Sequence, residues 1–288
     1  MKRTLTWLSI ITGLSVLVLA AGLLACGCGN QDQQGSSTED TYSGVVKASG
    51  STTVLPITQE AATLFMDENP GVSVEIQGGG SSVGIQQVKD GVVDIGNSSR
   101  DLKADENDGS LVDHPIALDV IAIITHPDVG VADLTTEQAK SIFTGEITRW
   151  SEVGGGDMEI VVVVRDQASG TREMFDEKVL GKEAEPVASA IECNSNGIVR
   201  ETVASTRNSI GYVSEGYVQD SVKPVSFNGV KASLETARSG DYVLSRFLHM
   251  ITRGVPQGAV KGFIDFVLSD SFQNQVVSKE YIPMTELE

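Results

Sequence analysis

Two uninterrupted apolar runs limit what this chain can become. Ile116 to Thr125 is Ile, Ala, Leu and Val broken only by Asp119, and Ile160 to Val164 is wholly β-branched. Runs of this length and branching are strands buried on both faces, and such strands need helices packed on either side. Helix-period segments supply them. Val54 to Met66 carries Leu55, Ile57, Ala61, Leu64 and Phe65 at helical spacing, with Pro56 in its first turn. Thr135 to Phe143 opens on a Thr-x-x-Gln capping box. Further helices are expected at Val83–Val88, Thr171–Leu180, Gly197–Ala204, Gln257–Leu268 and Ser271–Val277. Further strands are expected at Val45–Ala48, Val72–Ile76 and Val92–Ile95. The alternation predicts an α/β protein with mainly parallel sheets, and the length favours two doubly wound domains over one.

The chain is short of aromatics, at 5%, so its core must rest on Val, Ile, Leu and Ala. Its formal net charge is -18, which disfavours nucleic acid or an anionic lipid surface as partner. The N-terminus has its own character. Lys2 and Arg3 precede an apolar stretch that ends in Leu23-Leu24-Ala25-Cys26. This predicts a signal peptide over residues 1–25, with Cys26 acylated in a lipobox; an uncleaved membrane anchor is the alternative. Residues 26–44 read as a lipid-anchored flexible tether. The protein is then expected outside the cell membrane, on its outer face, or in the periplasm where an outer membrane exists. Cys28 and Cys193 imply no disulfide framework. The three histidines, His114, His126 and His249, have no metal-ligand spacing, so neither metal nor cofactor is expected.

Three strand-to-helix turns carry the chemistry. Ser49-Gly50-Ser51-Thr52-Thr53-Val54 places hydroxyls where a helix begins, Gly78-Gly79-Gly80-Ser81-Ser82-Val83-Gly84 lets backbone approach a ligand, and Arg165-Asp166-Gln167-Ala168-Ser169-Gly170-Thr171 adds a fixed cation. Unpartnered N–H groups, hydroxyl donors and a planar guanidinium make an oxyanion cradle. Any one turn is equally an ordinary N-cap, but three at the carboxyl ends of strands, one bearing Arg, favour an anion site. Gly80-Ser81-Ser82-Val83-Gly84 also matches G-x-S-x-G, which leaves a secreted serine phosphatase or esterase as an alternative. An adhesin or sensor on the same fold is another.

These motifs together resemble the phosphate-binding lipoproteins of phosphate ABC transporters. The resemblance runs from about Lys47 to Pro283. Its other segments are Val93-Asp94-Ile95-Gly96 with Ser98-Ser99-Arg100, Ile142 through Trp150, Ile210-Gly211-Tyr212-Val213 and Gly262 through Val267. It implies a two-lobed periplasmic-binding-protein fold of type II with the anion in the cleft. Lobe I would comprise residues 45–119 plus 222–288 and lobe II residues 120–221. It further implies phosphate ligands at Thr52, Thr53, Ser81, Ser99, Arg165, Ser169, Gly170 and Thr171. Longer members carry Asp where this chain has Ser99, and that Asp accepts the phosphate proton. Here Ser99 and Arg100 are expected to donate, and Asp119 is the candidate acceptor, with a hinge carboxylate paired to an Arg as its alternative. Asp166 is expected to hold Arg165. The implied function is capture of inorganic phosphate by a monomer and its delivery to membrane permease subunits. Sulfate, molybdate or tungstate are the alternative ligands.

Overall fold

The computed structural model describes residues 42–181 and 183–287. The predicted signal peptide, Cys26, Cys28 and nearly all of the tether lie outside the described residues. The order opens with β1 (Gly44–Gly50), α1 (Leu55–Glu68), β2 (Val72–Gly78), α2 (Ser81–Lys89), β3 (Ile95–Ser98) and the long β4 (Leu111–Thr125). It continues with β5 (Asp133–Leu134), α3 (Thr136–Thr144), β6 (Val161–Arg165), α4 (Gly170–Phe175), β7 (Ile191–Cys193), α5 (Asn196–Ser205), β8 (Ser209–Ser214) and β9 (Lys223–Phe227). It closes with α6 (Leu234–Arg238), β10 (Ser245–Arg253), α7 (Gly258–Leu268), α8 (Asp270–Gln275) and β11 (Ile282–Pro283).

The main path through the sheet is β2-β1-β3-β10-β4-β8-β6-β7. β1 runs parallel to β2 and β3, and β6 runs parallel to β7 and β8. The expectation of mainly parallel sheets fails at the centre. β4 is antiparallel to every neighbour it pairs with: β10, β11, β8 and β9. A run buried on both faces fixes a strand's environment but not its direction, which depends on connections far away in sequence. Along β4 the pairing with β10 stops at Val120, opposite Ser245, and the pairing with β8 begins at Ile121, opposite Ser214.

That change of partner separates two cores. Val46, Ala48, Ile57, Phe65, Leu248, Met250 and Phe263 form one, between α1, α7 and the sheet, with Ile85, Val88, Leu111 and Ile251 packed on the other face. Beyond Val120, alternate β4 residues serve opposite faces. Ile121 and Ile123 join Phe143, Phe175 and Tyr212, while Ala122 and Ile124 join Val199, Val203 and Val213. β6 divides the same way, with Val162 and Val164 on one side and Val163 on the other. Both faces are apolar because both are covered.

Two boundaries differ from expectation. Val92 and Val93 lie in the bend after α2, and the strand is Ile95–Ser98, which carries Ser99 to its carboxyl end. The stretch after residue 222, assigned to lobe I, packs instead with the second group of cores. Val222, Val225, Phe227, Ala237, Tyr242 and Leu244 all belong there, because β9 pairs with the outer half of β4. The chain rejoins the first core only with β10.

Gly84 shows how tightly α2 lies on the sheet. A Cβ there would meet Ser49 O at 2.5 Å and Gly50 Cα at 2.8 Å, both backbone and unable to yield. Gly84→Ala should therefore lower the unfolding free energy by about 1–3 kcal/mol in urea titrations. Gly197→Ala, on α5 with open space around it, should be neutral or slightly stabilising.

Candidate functional site

Three turns predicted as anion sites converge where the two groups of cores meet. Thr52 and Thr53 follow β1, Ser81 opens α2, Ser99 follows β3, and Ser169, Gly170 and Thr171 open α4. All six hydroxyl residues are buried. Thr53 Oγ1 lies 3.3 Å from Thr171 Oγ1, and Ser81 Oγ lies 3.2 Å from Ser99 Oγ. Gly170 stands against the serine pair: a Cβ on it would meet Ser81 Oγ at 2.5 Å and Ser99 Oγ at 2.8 Å. Gly80 approaches the facing turn as closely, its Cβ position 2.6 Å from Ala168 O at φ +95°. Only glycine fits at either point.

Arg165 ends β6 with its side chain 1% exposed. Its Nη2 donates to Asn194 O at 3.2 Å, while Nε finds no partner among the described residues. Among the described residues no carboxylate forms an ion pair with it; Asp166, expected to hold it, acts through its field. Burial pushes the Arg165 guanidinium down from its ordinary value, Asp166 opposes this, and the Arg246 charge adds to it. A buried cation of this kind is costly unless an anion answers it.

Arg246 was not anticipated. It lies on β10 directly opposite Asp119 on β4, its Nη2 and Nε 3.0 and 3.2 Å from Asp119 Oδ2. Ser214 donates to the other carboxylate oxygen. Asp119 is thus the carboxylate paired with an Arg, with both of its oxygens engaged by the protein. Burial pushes the Asp119 carboxyl up and Arg246 pulls it back. Arg246 Nη2 also donates to Thr171 Oγ1 at 2.8 Å and Thr53 Oγ1 at 3.2 Å. One guanidinium therefore holds a hydroxyl from each side of the crossing.

Asn196, at the start of α5, was also missed. Its Nδ2 donates to Thr53 Oγ1 at 2.9 Å and Thr52 Oγ1 at 3.3 Å, and its Oδ1 accepts from Ser214 N. Tyr217 and Tyr281 brace the same turn by donating to Thr52 O and Thr53 O. Burial pushes the Tyr217 phenol up to about 12, so it stays a donor. Ser51 Oγ takes the Thr53 and Val54 amides.

Arg100 is not brought into the cluster. Its Nη1 and Nη2 each lie 2.7 Å from a Glu106 oxygen, Nη2 also reaches Ser82 Oγ, and Nε lies 2.8 Å from Glu173 Oε2. Lys103 Nζ lies 3.0 Å from the same Glu173 oxygen. Glu173 is on α4 while Arg100 and Lys103 follow β3, so the group bridges the two sides of the crossing. Adjacency to Ser99 suggested a ligand; two carboxylates, Glu106 six positions away and Glu173 on α4, claimed the side chain. The serines of the G-x-S-x-G match are likewise engaged, Ser81 by Ser99 and Ser82 by Arg100. His249 lies between Asp101 and Asp113, and His114 lies beside Thr252.

A buried, hydroxyl-lined cation at the junction of two α/β units defines a solute-binding protein for an oxyanion. A family model for the PBP superfamily domain matches residues 33–271. The phosphate-binding protein PstS of Bacillus subtilis is 37% identical over 95% of this chain and 94% of its own length, and that of Borreliella burgdorferi is 31% identical over 93% and 96%. A Clostridium perfringens substrate-binding protein solved with bound phosphate superposes with a TM-score of 0.80 at 40% identity, covering 84% of this chain and all of that one. An ABC-type phosphate transport receptor from Vibrio cholerae gives 0.70 at 33%, covering 83% and all of it. The chain belongs to the PstS family of phosphate-binding proteins and has its two-lobed fold.

The Arg246–Asp119 pair makes a stability prediction. Asp119→Asn leaves Arg246 buried without its counter-charge, and thermal and urea unfolding should show a loss of about 3–5 kcal/mol. Replacing both, Asp119→Leu with Arg246→Met, should recover most of it.

Proposed function

We propose that this protein captures inorganic phosphate at the Arg165 cluster and delivers it to the permease of an ABC transporter, acting as a monomeric lipoprotein anchored outside the cell membrane through Cys26. The observation that carries this reading is the Arg165 guanidinium, 1% exposed and without a carboxylate ion pair among the described residues, within the field of Arg246, which itself holds Thr53 and Thr171 from the two sides of the crossing. Thr52, Thr53, Ser81, Ser99, Arg165, Ser169, Gly170 and Thr171 are the proposed ligands, held by Asn196 and Arg246. The lobes are residues 45–119 plus 245–288 and residues 120–244. Binding rather than turnover is supported by relatives named as binding proteins. No described helix is long and apolar enough to cross a membrane, which fits an anchor confined to the N-terminus.

Calorimetric titration tests this. Phosphate should bind at micromolar or tighter concentration, about -8 kcal/mol or better, and more tightly than sulfate; sulfate binding as tight as phosphate would reject the assignment. Arg165→Ala should weaken phosphate at least a hundredfold, since hydrogen bonds to charged groups are each worth roughly 1.5–3 kcal/mol. Without ligand the same variant should be no less stable than the parent, because it removes an unanswered buried charge. A domain this acidic binds its anion against its own long-range field, so added salt should not weaken phosphate binding.

The Arg100–Glu173–Lys103 group should favour the closed lobes. Glu173→Gln should weaken phosphate a fewfold, and the difference from the parent should shrink at high salt in the same titrations.

A further inference from the structure

Resting on the phosphate reading above, we propose that His249 is a positioning residue for the phosphate site: its imidazolium holds the corner that carries Ser99 and Arg100, and loss of its proton slackens that corner and weakens phosphate binding. His249 is 3% exposed at the centre of the sheet, where β10 pairs it with Ser98 on β3 and with Pro115 on β4. Nδ1 lies 2.9 and 3.1 Å from the two oxygens of Asp113. Nε2 is buried, makes no hydrogen bond among the described residues, and lies 3.3 Å from Asp101 Oδ1.

The two contacts respond differently to the charge on the ring. A neutral imidazole has one N–H and one bare nitrogen, and the hydrogen bond at one nitrogen decides which is which. Asp113 accepts at Nδ1, so the neutral ring keeps its proton there. Nε2 then turns a lone pair on the Asp101 carboxylate, and the contact becomes repulsive. With both nitrogens protonated it is an ion pair. Histidine is the side chain that changes charge between about pH 5 and pH 8, so the Asp101 contact is present at the acid end of that range and lost as pH rises. The other groups on neighbouring elements are engaged elsewhere. Phe247 sets only an aromatic ring beside the imidazole, 6.4 Å away. Lys89 on α2 turns to Asp108 and the Glu106 carbonyl. Arg253 lies along Gly91, and His114 is bonded to Thr252.

What Asp101 holds is the corner after β3. Ser98 Oγ donates to Arg100 O and accepts from Arg100 N, and Arg100 Nη1 donates to Asp101 O. The pair with His249 ties the far end of that turn to β10. Between the two ends stand Ser99, a proposed ligand, and Arg100, which reaches Glu173 on α4. A slack corner weakens phosphate through both.

Calorimetry with inorganic phosphate at about pH 5.5 and about pH 8.5, the two sides of the imidazole range, tests this on the parent, Asp101→Asn, His249→Gln and the double variant. The ionisation of phosphate itself cancels in the ratio of two proteins at one pH. Asp101 is 88% exposed, so Asp101→Asn should leave the fold intact. At the acid pH Asp101→Asn should bind phosphate about two- to fivefold more weakly than the parent, the worth of an exposed ion pair. At the alkaline pH it should bind no more weakly than the parent. On the His249→Gln background, Asp101→Asn should change nothing at either pH. A parent-to-Asp101→Asn ratio that is the same at both pH values overturns the proposal, and so does a pH-dependent ratio that survives in His249→Gln. Should His249→Gln fail to fold by circular dichroism, imidazole nitrogen NMR shifts of the parent replace it: the neutral ring should carry its proton on Nδ1, and a proton on Nε2 overturns the proposal. A parent that binds no phosphate overturns the phosphate reading and this proposal with it, whereas a flat ratio in a parent that binds phosphate overturns this proposal alone.

Discussion

A guanidinium buried without a carboxylate is the constraint on which the rest of this structure depends. Arg165 is buried and held in place by the Asn194 backbone carbonyl, which cannot neutralise it. The fold supports that cost because two cores, one on each side, fix the strand ends from which the cluster is built. Arg246 is the instructive contrast. It is also buried, but Asp119 stands opposite it across β4 and β10 and answers its charge. One arginine is answered by a carboxylate of the protein, and the other has none among the described residues.

The same pair ties the two sides of the crossing together. Asp119 and Arg246 sit where β4 leaves one core for the other, and Arg246 reaches one threonine from each side. Asn196 and Glu173 extend from the second side to Thr52, Thr53, Arg100 and Lys103 of the first. The cluster is therefore assembled from both sides at once, and contacts of this kind favour whichever arrangement of the two sides makes them.

The three turns were legible because glycine, hydroxyl and arginine placed between a strand and a helix have local causes. The buried runs Ile116–Thr125 and Ile160–Val164 were legible because period and branching are local too. What escaped the sequence was pairing at a distance. Asp119 interrupted an apolar run, and that marked it as special, but its partner lies 127 residues later. Arg246 did carry a signal: it shares a strand face with Leu248 and Met250, where a charge needs a reason. Asn196 stands just before the expected Gly197–Ala204 helix, and nothing local distinguishes it. The direction of β4 and the placement of residues 222–244 depended on which strand β9 would meet, and no local pattern records that.

The net charge of -18 describes the outer surface, and the cluster is built from what that surface excludes. The central claim is that Arg165 waits for an anion, and a crystal structure of the protein with inorganic phosphate tests it most directly. The account predicts phosphate within hydrogen-bonding distance of the Arg165 guanidinium, contacted by hydroxyls from both lobes, with Arg100 still paired to Glu106 and Glu173. Phosphate bound away from Arg165, or held by Arg100 in its place, would contradict it.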